Sequence, residues 1–250
     1  MSREAILKSM LTGVNPVLSD AQIKSIAVVM NAFSGKQLES MDGAGVRIWP
    51  FVKGLPPEYQ VQNISDLGSP AEYNQQYRTI RISPASLEGG AITDFLRHEL
   101  AHAWDNVKSG KNPKSLRKLK GDALVEELNR RAQESKPFES QSPNKLPPGK
   151  KFSMQEMLDR YKKVLPDKTK SFAHPSTADK HNAKDVMEFY AEGYSVFHGN
   201  TQTSQGRMLW LAPELFDYLE QEAKGHGLVS PSRDLLKKVL DDTEKGWRNY

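Results

Sequence analysis

The sequence predicts an α+β fold, mainly helical, with a small sheet ahead of one long helix. Three observations predict it. Apolar residues recur at helical spacing over 91–107, 154–165, 183–198 and 214–223. Residues 77–82 (YRTIRI) alternate polar and apolar and are rich in β-branched side chains. The composition is that of an ordinary globular protein, with 37% apolar and 26% charged residues in a chain of 250, enough for one substantial core or two small ones.

Taken in order, residues 19–34 (SDAQIKSIAVVMNAFS) form a helix on this reading. Ser19 or Asp20 caps it, and Ile23, Ile26, Ala27 and Met30 make its apolar stripe. Gly43 and Gly45 introduce a short strand from Val46 to Trp49, and Pro and Gly breaks make 54–75 loop-rich. The strand at 77–82 has one solvated face and is closed by Pro84. A helix then runs from about Ala91 to Val107, starting near Thr93 or Asp94 and stopped by Gly110. Ile92, Phe95, Leu96, Leu100, Ala103 and Trp104 are its apolar positions.

Residues 110–175 differ in kind. They hold an amphipathic stretch around Leu116–Leu128, then a polar Pro/Ser/Lys run from Gln133 to Lys151, then a helix from Met154 to Leu165 that ends at Pro166. The middle run is too poor in apolar residues to build a core. Helical periodicity returns at 183–198, interrupted by Gly193. Pro213 suits the first position of a helix through Ala223. Ser232 or Asp234 opens a last helix to about Trp247. There is no internal repeat. The expected organisation is a helical and loop region over 1–75 packed on a catalytic domain over 76–250, which carries a basic insertion at about 110–175.

Charge and composition bound the chemistry. From Lys108 to Lys170 there are 17 Lys and Arg against 8 Asp and Glu, although the whole chain carries only +4. The basic character belongs to that segment, which is either a solvated insertion or a surface for an acidic partner. There is no cysteine, so any metal must be held by His, Asp or Glu. No apolar run reaches the roughly 20 residues of a membrane span. The start, MSREAILKSM, lacks the apolar stretch of a secretory signal.

His98-Glu99-Leu100-Ala101-His102 is the HExxH pattern. On a helix, residues four apart share a face, so the two imidazoles can converge on one zinc ion. Glu99 lies about 100° further round, placed to act as a base on water rather than as a ligand. Zinc in a catalytic site takes three protein ligands and keeps a position open. A His six residues after the second would mark a metzincin, but that position is Lys108. Asp105 follows His102 by three residues, and three ligands on one straight helix strain the geometry. It suits a place behind the ligands.

The better third ligand is Glu188, in Glu188-Phe-Tyr-Ala-Glu192. Glu188 and Glu192 lie one turn apart on a second helix, so one can bind zinc while the other accepts a hydrogen bond from a liganding histidine. Their neighbours Val186, Met187, Phe189, Tyr190 and Ala191 are apolar or aromatic. Two acids in such a setting need a partner or a metal.

HELAHAWD, followed much later by EFYAEGYSVFHG, resembles the zinc peptidase domain of anthrax lethal factor and its relatives, which include Pro-Pro endopeptidases. YRTIRI ahead of the HExxH helix, Asp105 after it, and Ala212-Pro213 opening a later helix agree with that family. The resemblance covers roughly 75–107 and 183–222. It implies a zincin-like fold, zinc on His98, His102 and Glu188, Glu99 as base, and Glu192 and Asp105 supporting the ligands. It also implies that a substrate strand pairs with Thr79, Ile80, Arg81 and Ile82. Where the family has a tyrosine that steadies the oxyanion, this chain has His181. An imidazole can donate the same bond; His174, Tyr190 and Tyr194 are rivals. His198 and His226 have no supporting context.

The expected function is therefore zinc-dependent endoproteolysis of a protein or peptide substrate, an acidic one if the basic segment selects it. By the resemblance, the chain is a bacterial toxin or effector, cytoplasmic before export and secreted or injected without a cleavable signal. The alternatives are a basic binding protein with a structural or vestigial zinc site, and a metal-dependent hydrolase of a non-peptide bond. Nucleic acid is not the expected partner.

Overall fold

The computed structural model describes residues 1–11, 18–49, 54–59, 69–83, 86, 92–109, 119, 121–134, 149–164, 172, 185–199 and 201–247. The expectations for Pro84, Gly110, Pro166, His174, His181 and most of the polar run before Lys151 lie outside them. The chain is mainly helical with one small sheet. It forms two compact units, Met1–Glu139 and Ser140–Tyr250. No helix among the described residues is long and apolar enough to cross a membrane.

The first unit opens with α1 (Arg3–Met10), α2 (Asp20–Met30) and α3 (Gly35–Gly43). The helix expected over 19–34 stops early because a second capping signal restarts the chain. Ser19 and Gln22 form one reciprocal capping box, and Ser34 and Gln37 form another. Between them, Asn31 ends α2 and Phe33 turns into the core. The buried stripe of α2 is Ile26, Val29 and Met30, while Ile23 and Ala27 are half-buried.

Gly45 terminates α3 in the left-handed region, at φ 88°. Its N–H donates to the Asp42 carbonyl, and the Val46 N–H donates to the Met41 carbonyl at 3.0 Å. This pairing is a Schellman cap, which needs a residue free to take positive φ. Just beyond it, β1 (Arg47–Ile48) enters the sheet.

The sheet has the order β1-β3-β2, with β2 spanning Ala71–Asn74 and β3 spanning Thr79–Ile82. β1 runs parallel to β3 in the register Arg47↔Thr79, and β2 runs antiparallel to β3 in the register Ala71↔Ile82. This corrects one expectation. Thr79, Ile80, Arg81 and Ile82 form the central strand, not an edge, because Ala71–Asn74 pairs where a loop was expected. Nor does β3 have a solvated face. Thr79, Ile80 and Ile82 are buried, and Arg81 lies along Glu72 at 2.8 Å.

The HExxH helix is α4 (Ile92–Ser109). It packs on α2 and α3 and against β2 and β3. Leu96, Leu100, Ala101 and Ala103 are its most buried apolar positions. The unit also contains α5 (Gly121–Glu134), which buries Leu124 and Leu128 with Leu119 beside them.

The second unit is helical: α6 (Met154–Val164), α7 (Val186–Phe197), α8 (Gln202–Leu211), α9 (Pro213–Gly225) and α10 (Arg233–Trp247). Ser153 and Glu156 cap α6 reciprocally. Pro213 stands at the start of α9, as expected. The helix α7 packs on α6, α8 and α9, and α8 packs on α10. Tyr161, Phe172 and Phe189 fill the space between α6 and α7, with ring centroids 4.9 and 5.4 Å from Tyr161.

Gly193 does not interrupt α7, which runs through it. Its role is close approach. A Cβ at this position would lie 2.5 Å from Cδ2 of Leu215, a fully buried residue of α9. Gly193→Ala should therefore overpack the α7–α9 contact and destabilise the unit by about 1–3 kcal/mol. Urea unfolding followed by far-ultraviolet circular dichroism measures this directly, and an unchanged midpoint would contradict it.

Candidate metal centre and its surroundings

The helix α4 brings the two motif histidines together as the four-residue spacing requires. The Nε2 atoms of His98 and His102 lie 3.0 Å apart, with the rings edge to face at an interplanar angle of 82°. Two zinc-bound nitrogens, each at about 2.0–2.1 Å from a tetrahedral ion, are separated by roughly 3.3 Å. The pair is therefore close to ligand spacing. His98 is buried and His102 is half-buried.

On the neighbouring α4 position, Glu99 turns toward the sheet. Its Oε2 accepts a hydrogen bond from the Tyr73 backbone N–H at 2.6 Å. The strand register explains why that N–H is available. Hydrogen-bonded and non-hydrogen-bonded pairs alternate along an antiparallel ladder. Ser83 N–H donates to the Pro70 carbonyl at 3.4 Å, which makes Glu72:Arg81 and Asn74:Thr79 the bonded pairs. Ala71 and Tyr73 then direct their N–H and C=O groups away from β3, along the outer side of β2. Among the described residues no strand pairs with that side.

Further along α4, Asp105 and Asn106 are both buried. Asp105 forms an ion pair with Lys108 at 3.4 Å. Asn106 accepts a hydrogen bond from the Tyr73 hydroxyl at 3.2 Å. Burial pushes the Tyr73 hydroxyl above its ordinary range, which keeps it a donor. Neither Tyr73 nor Asn106 was a sequence candidate. Asn106 lies seven positions after Glu99, on the same face of the helix, and that spacing was the only available signal. For a backbone N–H there was none.

In the second unit, Glu188 sits in the first turn of α7 and Glu192 one turn later. Asp185 caps the helix, accepting from the N–H groups of Met187 and Glu188 at 2.9 and 3.0 Å. A carboxylate in the first turn is favoured by the helix dipole. Glu188 is half-buried and Glu192 is buried.

Tyr190 and Tyr194 belong to the aromatic interior of this unit. Tyr190 donates its hydroxyl to Glu222 on α9 at 2.9 Å, and its ring lies against Tyr218 and Tyr194. Tyr194 is fully buried and its ring meets that of His198 at 4.4 Å.

Among the described residues, His98, His102 and Glu188 make up a group that can hold a metal ion. Each offers one ligand atom, and these atoms lie within 4.8 Å of one another. Two imidazoles and one carboxylate, with no thiolate in the chain, form a donor set that suits zinc. Compared with known protein families, with curated proteins and with solved structures, the chain matches none of them.

Proposed function

We propose that the chain is a zinc-dependent endopeptidase in which His98, His102 and Glu188 hold the metal and Glu99 is the general base. The observation that carries this reading is the convergence of the two α4 imidazoles at 3.0 Å, with the carboxylate of Glu99 on the adjacent helical position. Zinc held by such ligands supplies a Lewis acid and a water acidified to near neutral pH. The residues of the chain do the rest. Glu99 accepts a proton from the attacking water and delivers it to the leaving amine. Glu192 and Asp105 are the carboxylates proposed to fix the histidine rings. His181 is proposed to donate to the developing oxyanion.

The sheet edge favours a peptide over other substrates. Ala71 directs its N–H outward from β2, as Tyr73 does its C=O, beside the strand's contact with Glu99, while the Ala71 C=O accepts from the Ser69 hydroxyl at 2.6 Å. An extended peptide can add to these groups as a further strand. This assigns the substrate-pairing role to β2 rather than to Thr79–Ile82. The biological role that accompanies the reading is a secreted or injected protein that cuts proteins of another cell, supported by the motif resemblance alone.

The test is cleavage of a peptide library by the purified zinc-loaded chain. Cleavage should stop on removing the metal with a chelator and return when zinc is restored. A chain that binds zinc yet cuts no peptide would overturn the peptidase reading.

A further inference from the structure

We infer that Tyr73 is the residue that positions the proposed base, holding Glu99 at the sheet edge through a two-point clamp on α4. The inference rests on the reading of Glu99 as base. Its physical content does not depend on metal or on cleavage.

The two contacts come from opposite ends of one residue. The Tyr73 N–H donates to Glu99 Oε2 at 2.6 Å, and the Tyr73 hydroxyl donates to Asn106 at 3.2 Å. Glu99 and Asn106 are seven positions apart, which is close to two helical turns, so both acceptors lie on one face of α4. A tyrosine spanning them runs along that face and fixes the strand to the helix in one register. Were Tyr73 placed one position earlier or later on β2, its N–H would point into the β3 ladder and be lost to Glu99.

The clamp also holds a side chain that otherwise has much freedom. A glutamate loses more rotamer entropy on being fixed than most residues. A bond from a backbone N–H to its carboxylate is charge-assisted and stronger than a neutral one. Tyr73 as a whole is 8% exposed, and the burial of its hydroxyl protects the Asn106 bond from competition by water. Tyr73 thus divides the β2 edge. Its N–H is given to Glu99, while its C=O and the Ala71 N–H face outward for a substrate strand; the Ala71 C=O accepts from the Ser69 hydroxyl at 2.6 Å. The base and the docked peptide are then set against each other by adjacent groups of one strand.

The experiment uses the full ¹⁵N-labelled chain and has two arms. In the first, amide hydrogen exchange is compared in wild type and Glu99→Ala. The Tyr73 amide should exchange at least about tenfold faster in the variant, the loss expected for a hydrogen bond to a charged group. The Glu72 and Asn74 amides, which face β3, should stay within about twofold. An unchanged Tyr73 amide would overturn the clamp. In the second arm, Tyr73→Phe should lower kcat by about three- to tenfold, with KM and zinc content within about twofold of wild type. An unaltered kcat would overturn the positioning role. So would a fall in zinc content, which would mark Tyr73 as merely structural. If wild type itself cleaves nothing, the peptidase reading fails while the exchange arm still decides the clamp.

Discussion

Glu99→Gln is expected to lower kcat/KM by about 100- to 10,000-fold while leaving zinc bound. A positioned general base typically contributes that much to the rate. Glutamine has nearly the same shape and keeps an oxygen that can accept the Tyr73 N–H, now held by Glu99 at 2.6 Å. It cannot take a proton from water. The variant therefore separates chemistry from architecture. The histidine pair and its spacing should survive, and only proton transfer should be lost. Zinc content and cleavage rate should be measured on the same sample. A variant that keeps its zinc and its full rate would remove Glu99 from the mechanism.

The second large effect is on stability. Asp42→Ala should cost about 3–5 kcal/mol, the range found when one partner of a buried ion pair is removed. Asp42 and Arg47 are almost wholly inaccessible, at 0% and 1% exposure, and their closest approach is 3.4 Å. Ser9 also donates to Asp42 at 2.7 Å, and Arg47 donates to the Val46 carbonyl. Burial already pulls the Arg47 guanidinium below its ordinary range, and Asp42 opposes that shift. Without the carboxylate, the cation is left in the core beside a hydroxyl that has lost its acceptor. Domains are stable by only about 5–15 kcal/mol in total, so the loss would be severe. Replacing both members by apolar residues of similar volume should recover most of it. Chemical denaturation of the single and double variants measures both effects. A single variant within about 1 kcal/mol of wild type would show the pair to be energetically minor.

How much was legible follows from the range of the forces involved. The helices α4, α6, α9 and α10 were readable because their apolar stripes and caps are local. Within α4, the convergence of His98 and His102 follows from helical geometry alone. The break between α2 and α3 was missed, although its signal was local: Ser34 and Gln37 repeat the S-x-x-Q spacing of Ser19 and Gln22. The strand β2 was missed for a different reason. Ala-Glu-Tyr-Asn, preceded by Ser69 and Pro70, has little β-propensity. It is a strand because β3 pairs with it, and that pairing then moved the sheet edge from Thr79–Ile82 to Ala71–Asn74. The helix α8 was unreadable in the same way. Gln202–Leu211 (QTSQGRMLWL) has its polar residues in the first half and its apolar ones in the second, so it shows no apolar stripe at helical spacing, and it contains a glycine. Gly206 allows α10 to come close, with Leu240 about 3.2 Å from where its Cβ would be. In the site, the motif residues were visible, but Tyr73 acts through its backbone, which no side-chain pattern reports.

The most direct measurement of the central claim is zinc stoichiometry by mass spectrometry of the folded chain, together with a competitive chelator titration. Wild type should hold one zinc per chain. His98→Ala and His102→Ala should lose it, and Glu188→Gln should bind it far more weakly. A wild-type chain that takes up no zinc, or histidine variants that bind it as tightly as wild type, would contradict the account.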